Sequence, residues 1–117
     1  MSNLKVLITK LSPTTRAALE KSANLCINQL NYEIEIEHLF VELLNQNIVN
    51  DLHILLKKNN ISADALITDL KETITSLPKG NNRTPIFAKS IVRLLEQAWL
   101  LASAEHNPLI RSSHLLI

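Results

Sequence analysis

Glycine is almost absent from this chain of 117 residues: Gly80 stands alone. A phosphate-cradling P-loop needs bracketing glycines and a Gly-Lys-Ser/Thr end, so a nucleotide site of that kind is excluded. Cysteine is equally scarce. Cys26 has no second thiol, which rules out an intramolecular disulfide and suits a reducing compartment. Aromatic residues make up 3% of the sequence, which with the lone glycine speaks against a sheet protein built on aromatic side chains and turn glycines. The formal net charge of +1 gives no field strong enough to gather nucleic acid or acidic lipid. No apolar run approaches the roughly 20 residues that cross a bilayer. Residues 1–11 break their short apolar run with Lys5 and Lys10 and so lack a signal-peptide core. A cytoplasmic helical domain with no nucleic-acid or membrane partner is the expectation.

What is abundant is Leu, Ile and Ala, and they recur. Shifting the numbering by 76 places residues 12–40 on 88–116 without a gap. Leu19-Glu20 falls on Leu95-Glu96, Leu25 on Leu101, Asn31 on Asn107, Ile34 on Ile110, and His38-Leu39 on His114-Leu115. Repetition of a unit that cannot bury its apolar face alone predicts a pseudo-two-fold, all-α domain made of a duplicated four-helix repeat. Residues 1–117 form one domain: repeat 1 about 12–76, a loop at 77–87, and a partial repeat 2 about 88–117, which the chain end truncates before its last helices. A second copy cut short in this way leaves apolar surface uncovered on its helices.

The predicted elements follow from local chemistry. Leu4, Leu7, Ile8 and Leu11 stand at helical spacing over 3–11. Ser12-Pro13 starts the next helix, about 13–30, because serine caps the orphan amides and proline at the first position loses no needed donor. Tyr32 to Glu37 alternates like a strand, but the equivalent stretch 107–113 reads as a loop. We therefore expect an extended connection at 31–35 and a helix from about Glu37 to Gln46. Further helices are expected at 51–59, stopped by Asn59-Asn60, at 63–76 capped by Ser62, at 89–104, and from Ser112 or Ser113 onward.

Chemical constellations are weak. His38, His53, His106 and His114 lack zinc-finger or His-Glu-x-x-His spacing, so no metal site is predicted. His38 and His114 are repeat-equivalent and in first turns, where packing or hydrogen bonding around the preceding loop explains them; a hydrolase using either is the competing reading from another class. Glu33, Glu35 and Glu37 read as a solvated edge rather than an acid–base pair. Cys26 lies on a buried helix face and reads as inert core. No catalytic residue and no cofactor are predicted, and the chain is not expected to be an enzyme. Function is expected to rest on apolar surface. Leu11 and Phe87 precede equivalent helix starts and, with the amphipathic segment before Leu11, border a groove for one face of a partner's amphipathic helix.

The His-Leu helix starts, Ile36-Glu37-His38-Leu39-Phe40 and Ser112-Ser113-His114-Leu115-Leu116, resemble those of the amino-terminal domain of the Clp family of AAA+ unfoldases. Lys10-Leu11-Ser12-Pro13, the run Leu77-Pro78-Lys79-Gly80 through Thr84-Pro85, and Ala98-Trp99-Leu100-Leu101 make it similar to the ClpV-type branch of type VI secretion. Ile36 departs from the pattern, standing at the cap position where the family usually has Ser or Thr. The resemblance implies a non-catalytic recognition domain on a hexameric ATPase ring, with ATP hydrolysis in other modules. It implies as cargo the amino-terminal helix of the larger subunit of the contracted secretion sheath, bound so that the sheath is disassembled and recycled. A domain of a general Clp disaggregase or protease ATPase is the alternative. The peptide contacts expected on this basis are Leu11, Thr15, Leu19, Phe87 and Ile91.

Overall fold

The computed structural model describes residues 4–47 and 49–116. The predicted boundaries at residue 3 and at Ile117 lie outside them. In chain order the elements are α1 (Leu4–Thr9), α2 (Pro13–Asn28), β1 (Glu33–Ile34), α3 (Ile36–Leu44), α4 (Asp51–Lys58), α5 (Ala63–Thr75), β2 (Ile86–Phe87) and α6 (Lys89–Ala104), closed by a 3₁₀ turn at Ser112–Leu116. Caps place most of these starts. Ser12 accepts from the Thr15 amide at 3.3 Å, with Pro13 at the head of α2. Asn50 and Ser62 do the same for α4 and α5 through the amides of His53 and Ala65.

Two expectations need correction. The alternation over 32–37 does carry a strand, though a short one: Glu33–Ile34 pairs in parallel with Ile86–Phe87. The N-cap of α3 is Glu35, with Ile36 the first helical residue. His38, the third residue of α3, reaches back to the cap, and its Nδ1 accepts the Glu35 amide at 2.9 Å. His53 and His114 repeat the device, accepting the amides of Asn50 at 3.1 Å and Arg111 at 2.9 Å. An imidazole thus stands where the capping box usually has Glu or Gln. These bonds require a neutral ring with the proton on Nε2, and they occupy the two histidines that a hydrolase would need.

The pseudo-two-fold is written into the backbone. Leu11 bridges Ile110 in parallel, and its equivalent Phe87 pairs with Ile34, the equivalent of Ile110. The Ser12 amide donates to the Ile110 carbonyl at 2.8 Å, and the Ala88 amide to the Ile34 carbonyl at 3.0 Å. Each helix start is therefore tied to the loop of the other repeat. Leu30 and His106, again equivalent, both take a left-handed conformation at φ 58° and 59°, as does Asn60 at 58°. The residue after each closes the helix with a bond five residues back: Asn31 to Cys26, Asn107 to Ala102, Ile61 to Leu56. With one glycine available, Leu30 and His106 bear the cost of roughly 1–2 kcal/mol that L-residues meet there.

The core joins both repeats: Leu7, Leu11, Leu19, Leu39, Leu43, Ile91, Leu95 and Ile110 are all buried in one cluster. On α6 Leu100 is exposed at 70%, while Leu94 and Trp99 are half-buried against the core. Buried Asn31 and His38 form a polar hub. His38 Nε2 donates to Asn31 Oδ1 at 3.0 Å, Asn31 Nδ2 to the Pro78 carbonyl at 3.0 Å, and Asn81 Nδ2 to the Asn31 carbonyl at 3.1 Å. This ties the 77–87 loop to repeat 1. Burial lowers the His38 pKa, against a smaller opposing pull from Glu37. The unfolded chain takes up the proton first, near its ordinary value of about 6.5. The neutral ring's contribution is therefore complete above that pH and declines as the pH falls through the folded value. Urea midpoints are expected to drop from pH 7.5 toward 5, with the His38 ring titrating by NMR below 6.5; titration at or above that value would refute the assignment.

Candidate docking groove

Three shallow depressions ring the start of α2. One, of about 360 Å³, is lined by Thr9, Leu11, Pro13, Arg16, Ala17, Glu20 and Leu109. A second, about 440 Å³, includes Thr14, Thr15, Val49, Ile54 and Leu109, with Asp51 and Arg111. A third, about 360 Å³, runs over Pro13, Thr14, Ala17, Lys21, Gln46 and Asn47. Each pair has lining residues in common, Pro13 and Ala17 in one pair, Thr14 in another and Leu109 in the third, so the depressions adjoin around the start of α2 as a segmented groove. Pro13, Thr14, Ala17 and Lys21 recur at the helical spacing of one face of α2. Leu109, 36% exposed, forms one wall, while Val49 and Ile54, exposed at 70% and 57%, extend the apolar surface.

Local chemistry holds the walls. Arg16 Nη2 donates to the Ile8 carbonyl at 3.0 Å and fastens the end of α1 to α2, and Lys10 Nζ lies 5.3 Å from the Trp99 ring centre. Gln46 Nε2 donates to the Thr14 carbonyl at 2.7 Å and anchors the end of α3 beside the groove.

The residues expected as contacts differ in their burial. Leu11, Thr15, Leu19 and Ile91 are buried, exposed by 3% or less. Leu11 and Thr15 reach the groove as its floor; Leu19 and Ile91 lie in the core and do not line it. Half-buried Phe87 belongs to the other helix start, where it pairs with Ile34. Phe87 does not line any of the three depressions described above. Pro13, Ala17 and Leu109, which were not among the expected contacts, line the depressions. The sequence distinguishes these positions: their repeat equivalents are Lys89, Arg93 and Glu33, all charged, whereas Pro13, Ala17 and Leu109 are not.

Other candidate chemistry is quiet. The Cys26 thiol is buried and points at the Glu33 carbonyl at 3.3 Å, and burial first, then Glu35, raises its pKa away from reactivity. Glu35 is raised by burial and by the charges of Glu33 and Glu37, with Ser90 Oγ donating to it at 3.4 Å. Among the described residues no cluster of three His, Cys, Asp or Glu side chains is placed to hold a metal, and no helix is long and apolar enough to cross a membrane.

The fold is similar to that of solved ClpV N-domains. The N-domain of ClpV from Vibrio cholerae superposes with a TM-score of 0.89 at 32% identity, covering 97% of this chain and 68% of the other. The N-terminal domain of the ClpV1 ATPase from the E. coli EAEC Sci1 type VI system gives 0.92 at 34%, covering 97% and 69%. A ClpV N-domain solved in complex with a VipB peptide gives 0.87 at 30%, again covering 97% and 69%. In sequence the chain is also 31% identical over 114 residues to the chaperone protein ClpB of Yersinia enterocolitica, spanning 97% of this chain and 13% of that protein. The Clp repeat (R) N-terminal domain family matches residues 10–117, nearly the whole sequence, and this chain belongs to that family.

Proposed function

We propose that this domain is the cargo-recognition module of a ClpV-type ATPase of type VI secretion. Its groove takes the apolar face of an amphipathic helix at the amino terminus of the larger subunit of the contracted sheath. Binding delivers that subunit to a hexameric AAA+ ring in the cytoplasm, where ATP hydrolysis in other modules drives sheath disassembly and recycling. The supporting observation is the likeness across 97% of the chain to a ClpV N-domain in complex with a VipB peptide. In this reading Pro13, Ala17 and Leu109 touch the cargo over a floor of Leu11 and Thr15.

A single helix face buries less than the roughly 1,200 Å² of a standard interface, so one domain is expected to hold its cargo with modest affinity after ordering costs. Six domains on one ring raise the effective affinity by avidity. The identity to ClpB favours a second reading, a general Clp-type unfoldase domain serving other substrates or an adaptor. Titrating a fluorescein-labelled peptide of the sheath subunit's amino terminus separates the two. Saturable binding that a scrambled peptide does not compete supports the first reading, and absence of binding by the wild-type chain removes it.

A further inference from the structure

Leu109 lines two of the three depressions, and the loop that carries it is fastened on both sides. Before it, His106 makes the left-handed turn and Asn107 Oδ1 accepts the Leu109 amide at 3.1 Å. After it, the Ile110 amide donates to the Lys10 carbonyl at 2.6 Å. The next tie leaves the repeat altogether. Arg111 donates twice to the Asp51 carboxylate, Nε to Oδ2 at 3.0 Å and Nη2 to Oδ1 at 2.6 Å, and the Ser113 amide adds a third bond at 3.3 Å. Asp51 is the first residue of α4, far away in sequence.

Exposed ion pairs add little stability, and the Arg111 side chain is 57% exposed. What a two-pronged guanidinium–carboxylate pair does provide is direction, since both donors must align with both oxygens. Burial pushes the Asp51 carboxyl up, but Arg111 and Ser113 together outweigh it and hold the group below the usual range, charged and engaged. The other repeat lacks both parts of the arrangement. The equivalent of Arg111 is Glu35, and the equivalent of Leu109 is Glu33. Clamp and apolar wall therefore occur together, on the one side that has the groove.

We propose that Asp51 is a positioning residue for cargo docking: from α4 it clamps Arg111 and so holds Leu109 in the wall of the groove, beside Pro13 and Ala17. The inference rests on the groove being the docking surface. It makes the affinity for cargo depend on a residue that acts through Leu109.

The test is a double-mutant cycle on this chain, read by anisotropy of the labelled sheath peptide. Asp51→Asn is expected to weaken binding about tenfold, and Leu109→Ala by a similar factor. Because one acts through the other, Asp51→Asn should cost less than about twofold more in the Leu109→Ala background. Asp51→Glu should restore part of the loss, and urea midpoints should stay near wild type. An equal loss in both backgrounds, no loss at all, or a fall in stability that accounts for the weaker binding would overturn the assignment. Methyl NMR of the free chain keeps the two readings apart. If the wild type fails to bind the peptide, the functional reading goes, while the positioning role is decided by whether the Leu109 methyls move in Asp51→Asn and the Leu95 methyls do not.

Discussion

An Ala17→Arg variant is expected to bind the sheath peptide at least about 30-fold more weakly, a loss of about 2 kcal/mol, while unfolding at nearly the wild-type urea concentration. Ala17 is exposed on α2 and forms a wall common to two of the depressions. Arginine is a good helix former, so the helix itself is not weakened, and substitutions at exposed sites usually stay within about 0.5 kcal/mol of wild type. The long cationic side chain would instead fill the floor space where a cargo helix lies and present an unpaired charge to its apolar face. The internal control is Arg93→Ala, at the repeat-equivalent position on α6, which should leave binding unchanged. Anisotropy titrations of the two variants beside wild type decide it. Equal affinity for Ala17→Arg and wild type would move the docking surface elsewhere on the domain.

Ile91→Ala and Leu19→Ala should behave in the opposite way. Both residues are buried, at 0% and 2% exposure, and belong to the cluster that joins the repeats. Removing their methyl groups leaves a cavity the surrounding helices fill only partly, at a cost of about 2–5 kcal/mol. Against a total of about 5–15 kcal/mol for a domain, that is a large share of the stability. Chemical denaturation should show the loss directly. Peptide affinity, corrected for the folded fraction, should remain within about twofold of wild type, as expected for a site that mutations only reach through global folding. A selective loss of binding with stability intact would return these side chains to the contact surface and require the groove to open down to the core.

The two sets of residues show how far the chain could be read before folding. Helix limits were legible because they depend on near neighbours: Ser12 and Pro13 start α2, Ser62 starts α5, and Asn60 stops α4 in the left-handed conformation. The repeat was legible because pairs such as Leu19 and Leu95 keep one register. The strand pairing of Glu33–Ile34 was not, since its partner, Ile86–Phe87, lies across three intervening helices and two residues give too short an alternation to stand out. Capping by histidine was visible only as His38 and His114 recurring in first turns; that they take the place of the usual Glu or Gln needed the distances to the Glu35 and Arg111 amides.

The sequence by itself determined the helical class, the duplicated unit and the absence of a P-loop, because composition, cap chemistry and a fixed 76-residue shift are all local or periodic properties. Tertiary structure alone decided which apolar residues face water. Leu11 and Leu19 look as suited to gripping a partner as Leu109 does, since all three carry the same apolar side chain. Leu11 is bridged to Ile110 and closes over the core, while Leu109, one residue earlier, is turned outward by the extended backbone's alternation. That difference comes from contacts between chain segments nearly a hundred residues apart, and no pattern within either segment encodes it.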